Sequence, residues 1–537
     1  MSDFECHVRE GLEEYERRDW RKACKGLDYY HEHEGNGYCV LHFPSQDKED
    51  DFERVLESKL VQKDYNLSGT VFPEGTSTFF EFVFDATAYF RGATFVGDAD
   101  FSFARFSGEW TDFMEAQFSG QRTDFGNAQF SGEVTNFRNA QFSGEKTDFV
   151  GTQFSGRETD FGGAQFSGEE TVFVGANFSG ERTGFGNTQF SSEETDFREA
   201  QFGSEETDFS LAQFGGKTTL FLGTQFSSES TTFLAAQFSG AETSFGHKAI
   251  FRKEVDFGGA IFKEQIVFSG LKGHPLFGSE AWAQFNSVRI EKPELLRFGS
   301  VLLHPGWFIN TDVRKVDFTD VKWYGMPSGP QGSLNEEIAA LRRHRVESPH
   351  TLLAQACRRL SANAEENREY PLANEFHYWS MDALRKESWH YRKETWDGLA
   401  WIRKNWLRVA KRCSPETTLR LVWDRIRRRS QGRPRNLGLI ITLYWVLSGY
   451  GVRAARAFLV LVGICAAFAA LYMVLGPPKL QDIGQAVVYS LGAVARLNPE
   501  PKPNEPGLFQ FLVITEGLLG PLQIGLLLLA IRRKVMR

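Results

Sequence analysis

Phenylalanine recurs along the middle of the chain at regular intervals. It occupies positions 79, 84, 90, 95, 101 and 106, and from residue 113 to residue 245 its spacing alternates between five and seven. The unit is therefore twelve residues long, with the consensus A-Q-F-S-G-E-x-T-D-F-x-x, as in residues 116–127. Such a period fits neither the turn of an α-helix nor the simple alternation of a hairpin strand. It predicts a solenoid.

The residues around each phenylalanine indicate which way the chain faces. Ala116 stands two residues before Phe118, so both side chains point to the same side of an extended segment, towards the core. Glycine follows many phenylalanines by two positions, as at Gly108, Gly120 and Gly132, and we expect it to supply the backbone freedom that a corner needs. Ser, Glu, Gln and Asp then lie outside. The predicted core includes Phe113, Phe118, Phe125, Phe130, Phe137 and Phe142.

The unit Ala116 to Gly120 resembles the pentapeptide-repeat family, whose A-(D/N)-(L/F)-x-x units form the faces of a four-sided β-helix. The resemblance implies a mainly β domain, a right-handed quadrilateral β-helix over residues 76–270, with bulged corners and about 24 residues in each coil. The 33 repeat phenylalanines between 79 and 268 then make about eight coils, or ~40 Å at a strand spacing of roughly 4.8 Å. A two-sided coil of twelve residues is the alternative. Residues 1–75 and 271–330 are expected to cap the two ends.

Four N-terminal residues have the composition of a metal site. Cys6, Cys24, Cys39 and His42 form a C-x17-C-x14-C-x2-H series, and such ligands suit a tetrahedral structural zinc ion. The segment GYCVLH resembles small CCCH knuckles. The long intervening loops leave a second interpretation open, free cysteines in a small capping helix. Other possible donors are His7, His31 and His33.

Residues 331–436 have the pattern of a helical linker at a membrane surface. Apolar residues recur at helical spacing between 335 and 387, which predicts a helical hairpin; similar stretches follow the solenoid in bacterial membrane pentapeptide proteins. From Arg385 to Arg435, 16 Lys or Arg against 5 Asp or Glu give a net charge of +11. Tryptophans interleaved with these cations predict binding to anionic lipid, and nucleic acid is the less favoured partner. The expected lipid-surface residues are Trp396, Trp401, Trp406, Arg427, Arg428 and Arg429.

Two apolar stretches, residues 454–475 and 508–531, are each long enough for the roughly 20 residues that a bilayer crossing needs. They define a two-transmembrane module over residues 437–537, with a short interfacial helix at 437–445. Basic residues before the first stretch and after the second predict that both termini are cytoplasmic. The N-terminus has no signal-like apolar segment. We therefore expect a multi-pass protein of the plasma (inner) membrane whose solenoid lies in the cytosol.

Between the two spans, residues 483–497 have the pattern of a re-entrant half-helix. The order of helix, half-helix and helix resembles the two-transmembrane potassium-channel module. SLGAVARLNPEP stands where a TVGYG-like filter would lie, so the resemblance implies a degenerate filter and argues against potassium selectivity. An ionised Glu516 facing lipid would cost roughly a few kcal/mol, so it should face a pore or water, or lock the helices together. Gly517 and Gly520 allow a bend or close helix packing.

The sequence contains no recognisable catalytic group. None of its 11 histidines stands in a triad or phosphate-binding context, and no Walker or dinucleotide loop is present. Residues 109–246 hold 21 acidic and 7 basic side chains, net −14. The leading hypothesis is a non-enzymatic, membrane-anchored and homo-oligomeric scaffold that presents an acidic solenoid to a cytosolic protein. The alternatives are an oligomeric ion channel regulated by the solenoid, and a DNA mimic like the soluble pentapeptide proteins that inhibit gyrase.

Overall fold

The computed structural model describes residues 6–7, 21–327, 329–388, 437–497 and 507–535. The chain divides into two units, one of residues 1–324 and 328–330 and the other of residues 325–327 and 331–537. The first unit contains a parallel β-solenoid of about 11 turns, and the second is built from helices. The predicted order, a solenoid followed by helices, is confirmed.

Each coil of the solenoid contributes short strands to four parallel sheets, which we number faces 1 to 4 in chain order. Strand Gln117–Phe118 of face 1 pairs in parallel with Gln141–Phe142, the strand that follows 24 residues later. Strand Val134–Asn136 of face 4 pairs in the same way with Glu158–Asp160. A regular coil therefore has four sides and 24 residues, as the resemblance implied, rather than two sides and twelve.

The strands of faces 1 and 2 run through almost the whole solenoid. Those of face 1 are Val71–Phe72, Thr94–Phe95, Gln117–Phe118, Gln141–Phe142, Gln165–Phe166, Gln189–Phe190, Gln213–Phe214, Gln237–Phe238, Ile261–Phe262 and Arg289–Ile290. Those of face 2 are Ala99–Asp100, Arg122–Asp124, Lys146–Asp148, Glu170–Val172, Glu194–Asp196, Thr218–Leu222, Glu242–Gly246, Gln265–Ser269, Leu296–Gly299 and Asp317–Thr319.

Faces 3 and 4 complete each coil. The strands of face 3 are Val83–Phe84, Arg105–Phe106, Gln129–Phe130, Gln153–Phe154, Asn177–Phe178, Gln201–Phe202, Gln225–Phe226 and Ile250–Phe251. Those of face 4 are Ala88–Tyr89, Trp110–Asp112, Val134–Asn136, Glu158–Asp160, Arg182–Gly184, Glu206–Asp208, Ser230–Thr232, Glu254–Asp256 and Trp282–Gln284. A last parallel pair joins Leu302–Leu303 to Lys322–Trp323.

Phenylalanines fill the core in four columns, one for each face. Rings of one column stack almost parallel, as Phe113 and Phe137 do with centroids 4.9 Å apart and planes 1° apart. Rings of neighbouring columns meet edge to face, as Phe118 and Phe125 do at 5.9 Å and 80°. Burial of each ring stabilises the fold by roughly 1.5–3 kcal/mol, and both ring geometries add to this. All six core phenylalanines named from the sequence are at most 1% exposed.

The T-D-F segment of the repeat forms a capped corner. Thr123 is buried beside the rings, and the Asp124 carboxylate that follows accepts a hydrogen bond from the Gly126 N–H at 2.7 Å. Asn127 then takes a left-handed conformation with φ of 56°, which asparagine and glycine tolerate better than other residues. In this corner the aspartate accepts the hydrogen bond that caps the turn, the phenylalanine fills the core, and the asparagine takes the left-handed position.

The glycines that follow phenylalanine by two positions do not have the role predicted for them. None of Gly108, Gly120 and Gly132 has a positive φ, so backbone freedom is not the reason for glycine. A Cβ on Gly132 would instead lie 1.9 Å from the carbonyl oxygen of Gly108 in the preceding coil. Glycine is needed because the coils approach closely here. Where serine occupies this position it bonds a threonine of the preceding coil, as Ser204 does with Thr183 at 2.6 Å.

Gly132→Val is expected to destabilise the solenoid by roughly 1–3 kcal/mol, the usual range for overpacking, because a Cβ here meets the Gly108 carbonyl and the two γ-methyl groups of valine have no hydrogen-bond partner to compensate for the displacement of the coils. Gly132→Ser is the matched control. It should lose less, because the Ser204 corner shows an arrangement that accommodates a hydroxymethyl group, with Thr111 as the hydrogen-bond partner. Urea unfolding and hydrogen exchange on the two variants compare the losses. Equal losses would show that the serine arrangement cannot form in this coil.

An N-terminal cap covers the first coil. It consists of helix α1 (Glu49–Val61) and the antiparallel hairpin His31–His33 with Asn36–Tyr38. The Val71 N–H at the start of face 1 donates to the Leu41 carbonyl of the cap at 2.9 Å. The edge of the first strand is thereby partly occupied, as expected of a solenoid end that must not pair with other chains. Pairing at the other end continues past residue 271, since the last strands of face 2 follow in register.

The helices of the second unit carry both polar and apolar segments. They are α2 (Leu334–Arg343), α3 (Pro349–Glu366), α4 (residues 370–388), α5 (Leu437–Ser448), α6 (Ala454–Leu475), α7 (Ile483–Val494) and α8 (Leu508–Val535). Short 3-10 turns occur in the first unit at Pro293–Leu295 and Pro305–Phe308, and in the second unit at Pro478–Leu480. Among the described residues α6 and α8 are long and apolar enough to cross a membrane. We call α5 to α8 the C-terminal module.

Candidate functional site: a buried Cys3His cluster and a polar C-terminal module

The four predicted metal ligands come together in the N-terminal cap. The ligand atoms of Cys6, Cys24, Cys39 and His42 all lie within 4.8 Å of one another, and each residue is buried. Cys39 and His42 are brought close by a tight turn, in which the His42 and Phe43 N–H groups both donate to the Cys39 carbonyl. This Cys3His group could bind a metal ion.

Backbone groups orient two of the ligands. The Cys39 N–H donates to the Cys6 sulfur at 3.2 Å, and the His42 Nδ1 lies 3.4 Å from that sulfur. His42 Nε2 lies 2.9 Å from the Ser68 carbonyl oxygen, which fixes Nε2 as the protonated nitrogen and leaves Nδ1 for the cluster. Metal-binding histidines usually have such a partner on their second nitrogen. Ser68 belongs to the first coil, so the cluster is linked directly to the solenoid.

The electrostatics of the cluster favour at least one thiolate. The neighbouring Cys24 and Cys6 sulfurs lower the pKa of Cys39 far below its usual range, and Cys39 in turn raises the pKa of Cys24. Burial opposes protonation of His42, but its contacts with the Cys39 and Cys6 sulfurs raise its pKa to about 10. A bound metal ion would replace these shared protons, because it takes thiolates and neutral imidazole.

Lys48 is a buried cation beside the cluster that the sequence did not single out. Its Nζ donates to the carbonyl oxygens of Val40 and Leu41 at 2.8 and 3.0 Å, within the turn between Cys39 and His42. Burial lowers the pKa of Lys48 to about 7, against the opposite effect of the cysteine sulfurs. Lys48 therefore ties the ligand turn to the start of α1. No sequence motif marks Lys48. Because lysine is usually exposed, its burial here could not be expected.

The C-terminal module encloses the carboxylate predicted from the sequence. Glu516 of α8 is fully buried, and its two oxygens accept hydrogen bonds from Tyr472 of α6, at 2.5 Å, and from Ser490 of α7. The three helices thus share one polar centre within a single chain. Of the roles that the sequence left open, this geometry fits the helix-locking carboxylate. Its donors are hydroxyl groups rather than an arginine.

One of the two glycines near Glu516, Gly520, allows α7 to approach α8. A Cβ on Gly520 would lie 2.8 Å from the Val494 methyl carbons, so glycine is required there. Gly517 has no such restriction, and its carbonyl oxygen accepts a hydrogen bond from Arg496 Nε at 3.3 Å. The predicted half-helix therefore ends against the middle of α8.

Glu516→Leu is expected to destabilise the C-terminal module by roughly 1–3 kcal/mol for each hydroxyl left without an acceptor. Glu516→Gln retains one carbonyl oxygen and should lose less. The thermal denaturation of the purified variants in detergent measures the difference. If the leucine variant is as stable as the glutamine variant, the carboxylate does not lock the helices.

A second polar cluster joins α4 to the C-terminal module. Asp382 accepts hydrogen bonds from Arg385 at 2.7 and 2.9 Å and from the Tyr450 hydroxyl at 3.2 Å. The Arg385 guanidinium stacks over Trp445 at 4.4 Å, and Arg453 pairs with Glu375 of α4 at 2.9 Å. This junction contacts the segment before α6. Asn374 of α4 also donates to the Arg533 carbonyl near the end of α8.

Several of the predicted functional residues lie outside the described residues. They are Trp396, Trp401, Trp406, Arg427, Arg428 and Arg429. His7, His31 and His33, offered as alternative donors, are not among the described residues that form the cluster; their rings contact Tyr38, Tyr30 and Phe43 instead. Sequence reasoning also missed Lys48, Tyr472, Ser490 and the Asp382 junction, which depend on contacts between distant segments.

Comparison with protein families, curated proteins and solved structures finds no match for this chain. Its function must therefore be inferred from its own geometry.

Proposed function

We propose that this chain is a non-enzymatic, membrane-anchored scaffold of the pentapeptide-repeat type, whose cytosolic solenoid binds a protein partner. The observation that carries the proposal is the uncovered apolar surface of α6 and α8. In their most apolar stretches only 11% and 17% of the residues are buried. Apolar surface of this size marks contact with a membrane or with another protein, and the length of both helices favours a membrane. In this proposal the protein lies in the inner membrane, with both termini in the cytoplasm.

The solenoid has the properties of a binding rod rather than of a catalyst. Its inward positions carry phenylalanine, threonine and alanine, and its charges are directed outward. Exposed glutamates such as Glu145, Glu169 and Glu193 stand on successive coils, and the net charge of −14 over residues 109–246 would attract a basic surface. Because each coil contacts only its neighbours, outward residues can vary without disturbing the core.

We propose further that the Cys3His cluster holds a structural zinc ion. Three sulfurs and one imidazole nitrogen complete a tetrahedral set, and burial leaves no open position for a substrate. The ion would fix Cys6 and Cys24 to the Cys39–His42 turn. Since Ser68 and Leu41 connect this turn to the first coil, the ion would hold the cap on the solenoid.

The membrane part of the proposal is tested with the full-length protein in cells. We expect it to remain with the membrane fraction through an alkaline carbonate wash. Lys479→Cys, between α6 and α7, should react with an impermeant thiol reagent in intact cells, above the level of the unmodified protein. Gln129→Cys, exposed on face 3, should react only after permeabilisation. Release of the protein by carbonate would overturn the proposal, and the opposite labelling pattern would overturn the orientation.

The second candidate function is an oligomeric pore regulated by the solenoid. The observation that favours it is α7, a helix of 12 residues that is too short to cross and ends beside the middle of α8. Half-helices of this kind are tolerated within a bilayer where they line protein or water.

A further inference from the structure

The first coils of the solenoid carry apolar side chains on their outer surface. Phe80, Val83, Tyr89, Phe103 and Trp110 are between 38% and 51% exposed. Phe80 and Phe103 lie at the corner before face 3, where their rings meet edge to face with centroids 5.9 Å apart. Val83 belongs to face 3, and Tyr89 and Trp110 belong to adjacent strands of face 4. We call these five residues the apolar patch.

The repeat itself does not require this patch. In register with Val83, the outward position of face 3 is occupied by Gln129 and Gln153 two and three coils later. In register with Tyr89, face 4 carries Asp112 in the next coil. Those coils have the same four faces and the same phenylalanine core, so the apolar side chains of the patch are not needed for folding. Contiguous exposed apolar surface of this kind marks an interaction site.

Phe103 is held at the patch against the preference of its backbone. It has a left-handed conformation with φ of 57° and is 49% exposed. The equivalent positions one and two coils later are Asn127 and Gly151, residue types that tolerate this conformation better than phenylalanine does. Asparagine would therefore suit the fold better here. Strained residues that persist in this way cluster at binding sites, which points to a role for the Phe103 ring in binding.

An acidic surface begins at the patch and continues along the rod. Residues 79–115 hold 7 acidic and 2 basic side chains, net −5. Glu109, directly before Trp110, is exposed at the corner between faces 3 and 4. The exposed residues of this corner in the next five coils are Glu133, Arg157, Glu181, Glu205 and Glu229. From Glu109 to Glu229 this corner, which we call the acidic edge, extends over about 24 Å at a strand spacing of about 4.8 Å.

We propose that the apolar patch and the acidic edge form one docking surface, which binds a segment of another protein that carries apolar side chains next to lysines or arginines. This inference rests on the protein-binding role proposed above for the solenoid, and it names the site and the chemistry of the partner. Phe103 and Trp110 are the anchors, because aromatic side chains are enriched at the centres of interfaces and carry much of the binding energy. The acidic edge attracts the basic part of the segment and fixes its register.

Charge distinguishes this partner from a second copy of the chain. A second solenoid docked along the same surface would place its own acidic edge against this one, and like charges that face each other across an interface oppose association. A segment with only basic side chains would leave the apolar patch in water, and a segment with only apolar side chains would leave the acidic edge without complementary charge. The surface therefore fits a partner that offers both.

The test uses the full-length protein in nanodiscs of neutral lipid, with empty nanodiscs as the blank. Three fluorescein-labelled synthetic peptides of equal length are the probes. The first consists of leucine and tryptophan in one half and of lysine and serine in the other. The second replaces leucine and tryptophan by serine, and the third replaces lysine by glutamate. Fluorescence anisotropy should show that the first peptide binds at least about 10-fold more tightly than either of the others.

A patch variant and a matched control locate the site. Phe103→Asn combined with Trp110→Ser introduces the residues of the equivalent positions Asn127 and Ser230, so the coils should still form. This patch variant should bind the first peptide about 10-fold more weakly, or worse. Leu211→Asn is the control. Leu211 is 56% exposed with φ of 60° at the corner before face 1, outside the patch, so its replacement should leave the affinity unchanged.

Glu181→Lys combined with Glu205→Lys reverses the charge of the acidic edge and should also weaken binding of the first peptide. The inference is overturned if the patch variant binds the first peptide as tightly as the unmodified protein does, or if the first two peptides bind equally well. Oligomers that dissociate in the patch variant also overturn it, because a second copy would then occupy the patch.

The outcomes separate this inference from the proposed function. If the second peptide binds as tightly as the first and only the edge variant loses affinity, the solenoid still binds basic partners and the apolar patch alone is refuted. Release of the protein by carbonate contradicts the membrane anchor of the proposed function, whereas the difference between the patch variant and the Leu211→Asn control does not depend on that anchor.

Discussion

Cys39→Ser is expected to abolish stoichiometric zinc binding and to unfold the N-terminal cap. Cys39 is fully buried, lies 3.7 Å from His42 Nδ1 and has a pKa lowered by the neighbouring Cys24 and Cys6 sulfurs. Loss of an outer-shell partner typically costs 10–100-fold in metal affinity, so the loss of this ligand should exceed roughly 100-fold. Bound zinc is measured by releasing it to a chromogenic chelator, and cap stability by hydrogen exchange over residues 21–72.

The expected exchange pattern follows from the one-dimensional fold. Fraying should start at the Cys39–His42 turn and reach the first strand of face 1, because the Leu41 carbonyl and the Val71 N–H are bonded to each other. Coils further along should keep their protection, since each is stabilised mainly by its neighbours. Chelation of the metal from the unmodified protein should produce the same pattern.

Cys357→Ser provides the control for this prediction. Cys357 is a buried cysteine of α3, outside the cluster, so its replacement should leave the zinc content unchanged. If the unmodified protein contains no zinc and its cap exchanges as slowly in chelator as without it, the structural zinc ion is refuted. The cysteines would then be the free thiols of a capping element.

The solenoid was predictable because its core repeats. The alternating steps of five and seven place Phe118 on face 1 and Phe125 after face 2 in every regular coil, and the parallel stacking of identical rings requires little beyond that spacing. The reason for Gly132 was not predictable. A close approach to Gly108 depends on the rise between coils, and sequence alone does not distinguish it from a need for positive φ.

The sites were predictable only as far as their residue types. The cysteine and histidine series indicated a metal site, but Lys48 and Ser68 entered it through tertiary contacts. Glu516 was conspicuous because a carboxylate is rare in an apolar span, whereas its partners Tyr472 and Ser490 are common in helices.

Asp382→Ala is expected to destabilise the helical unit by roughly 3–5 kcal/mol, the usual cost of removing one partner from a buried charge pair. The side chain of Asp382 is only 9% exposed and that of Arg385 18%, so the guanidinium would lose its carboxylate with little access to water. Tyr450 is fully buried and would lose the acceptor of its hydroxyl proton.

Backbone strain at Tyr450 adds to this expectation. Gly449, Tyr450 and Gly451 have φ values of 55°, 63° and 70°, and a left-handed conformation costs a non-glycine residue roughly 1–2 kcal/mol. Such strain persists only where the surroundings impose it. Here the Arg385 and Asp382 contacts hold the tyrosine hydroxyl, and Arg533 bonds the Tyr450 carbonyl at 3.2 Å. Without Asp382 the turn between α5 and α6 should relax.

The Asp382→Ala variant is compared by thermal denaturation in detergent and by hydrogen exchange over residues 445–453. Glu375→Ala is the matched control, because it removes the carboxylate of the more exposed Arg453 pair on the same helix, and such pairs contribute about 0–1 kcal/mol. Tyr450→Phe, which deletes only the hydroxyl, should fall between the two. If Asp382→Ala costs no more than Glu375→Ala, and exchange in the turn is unchanged, the buried network does not hold α4 against the candidate spans.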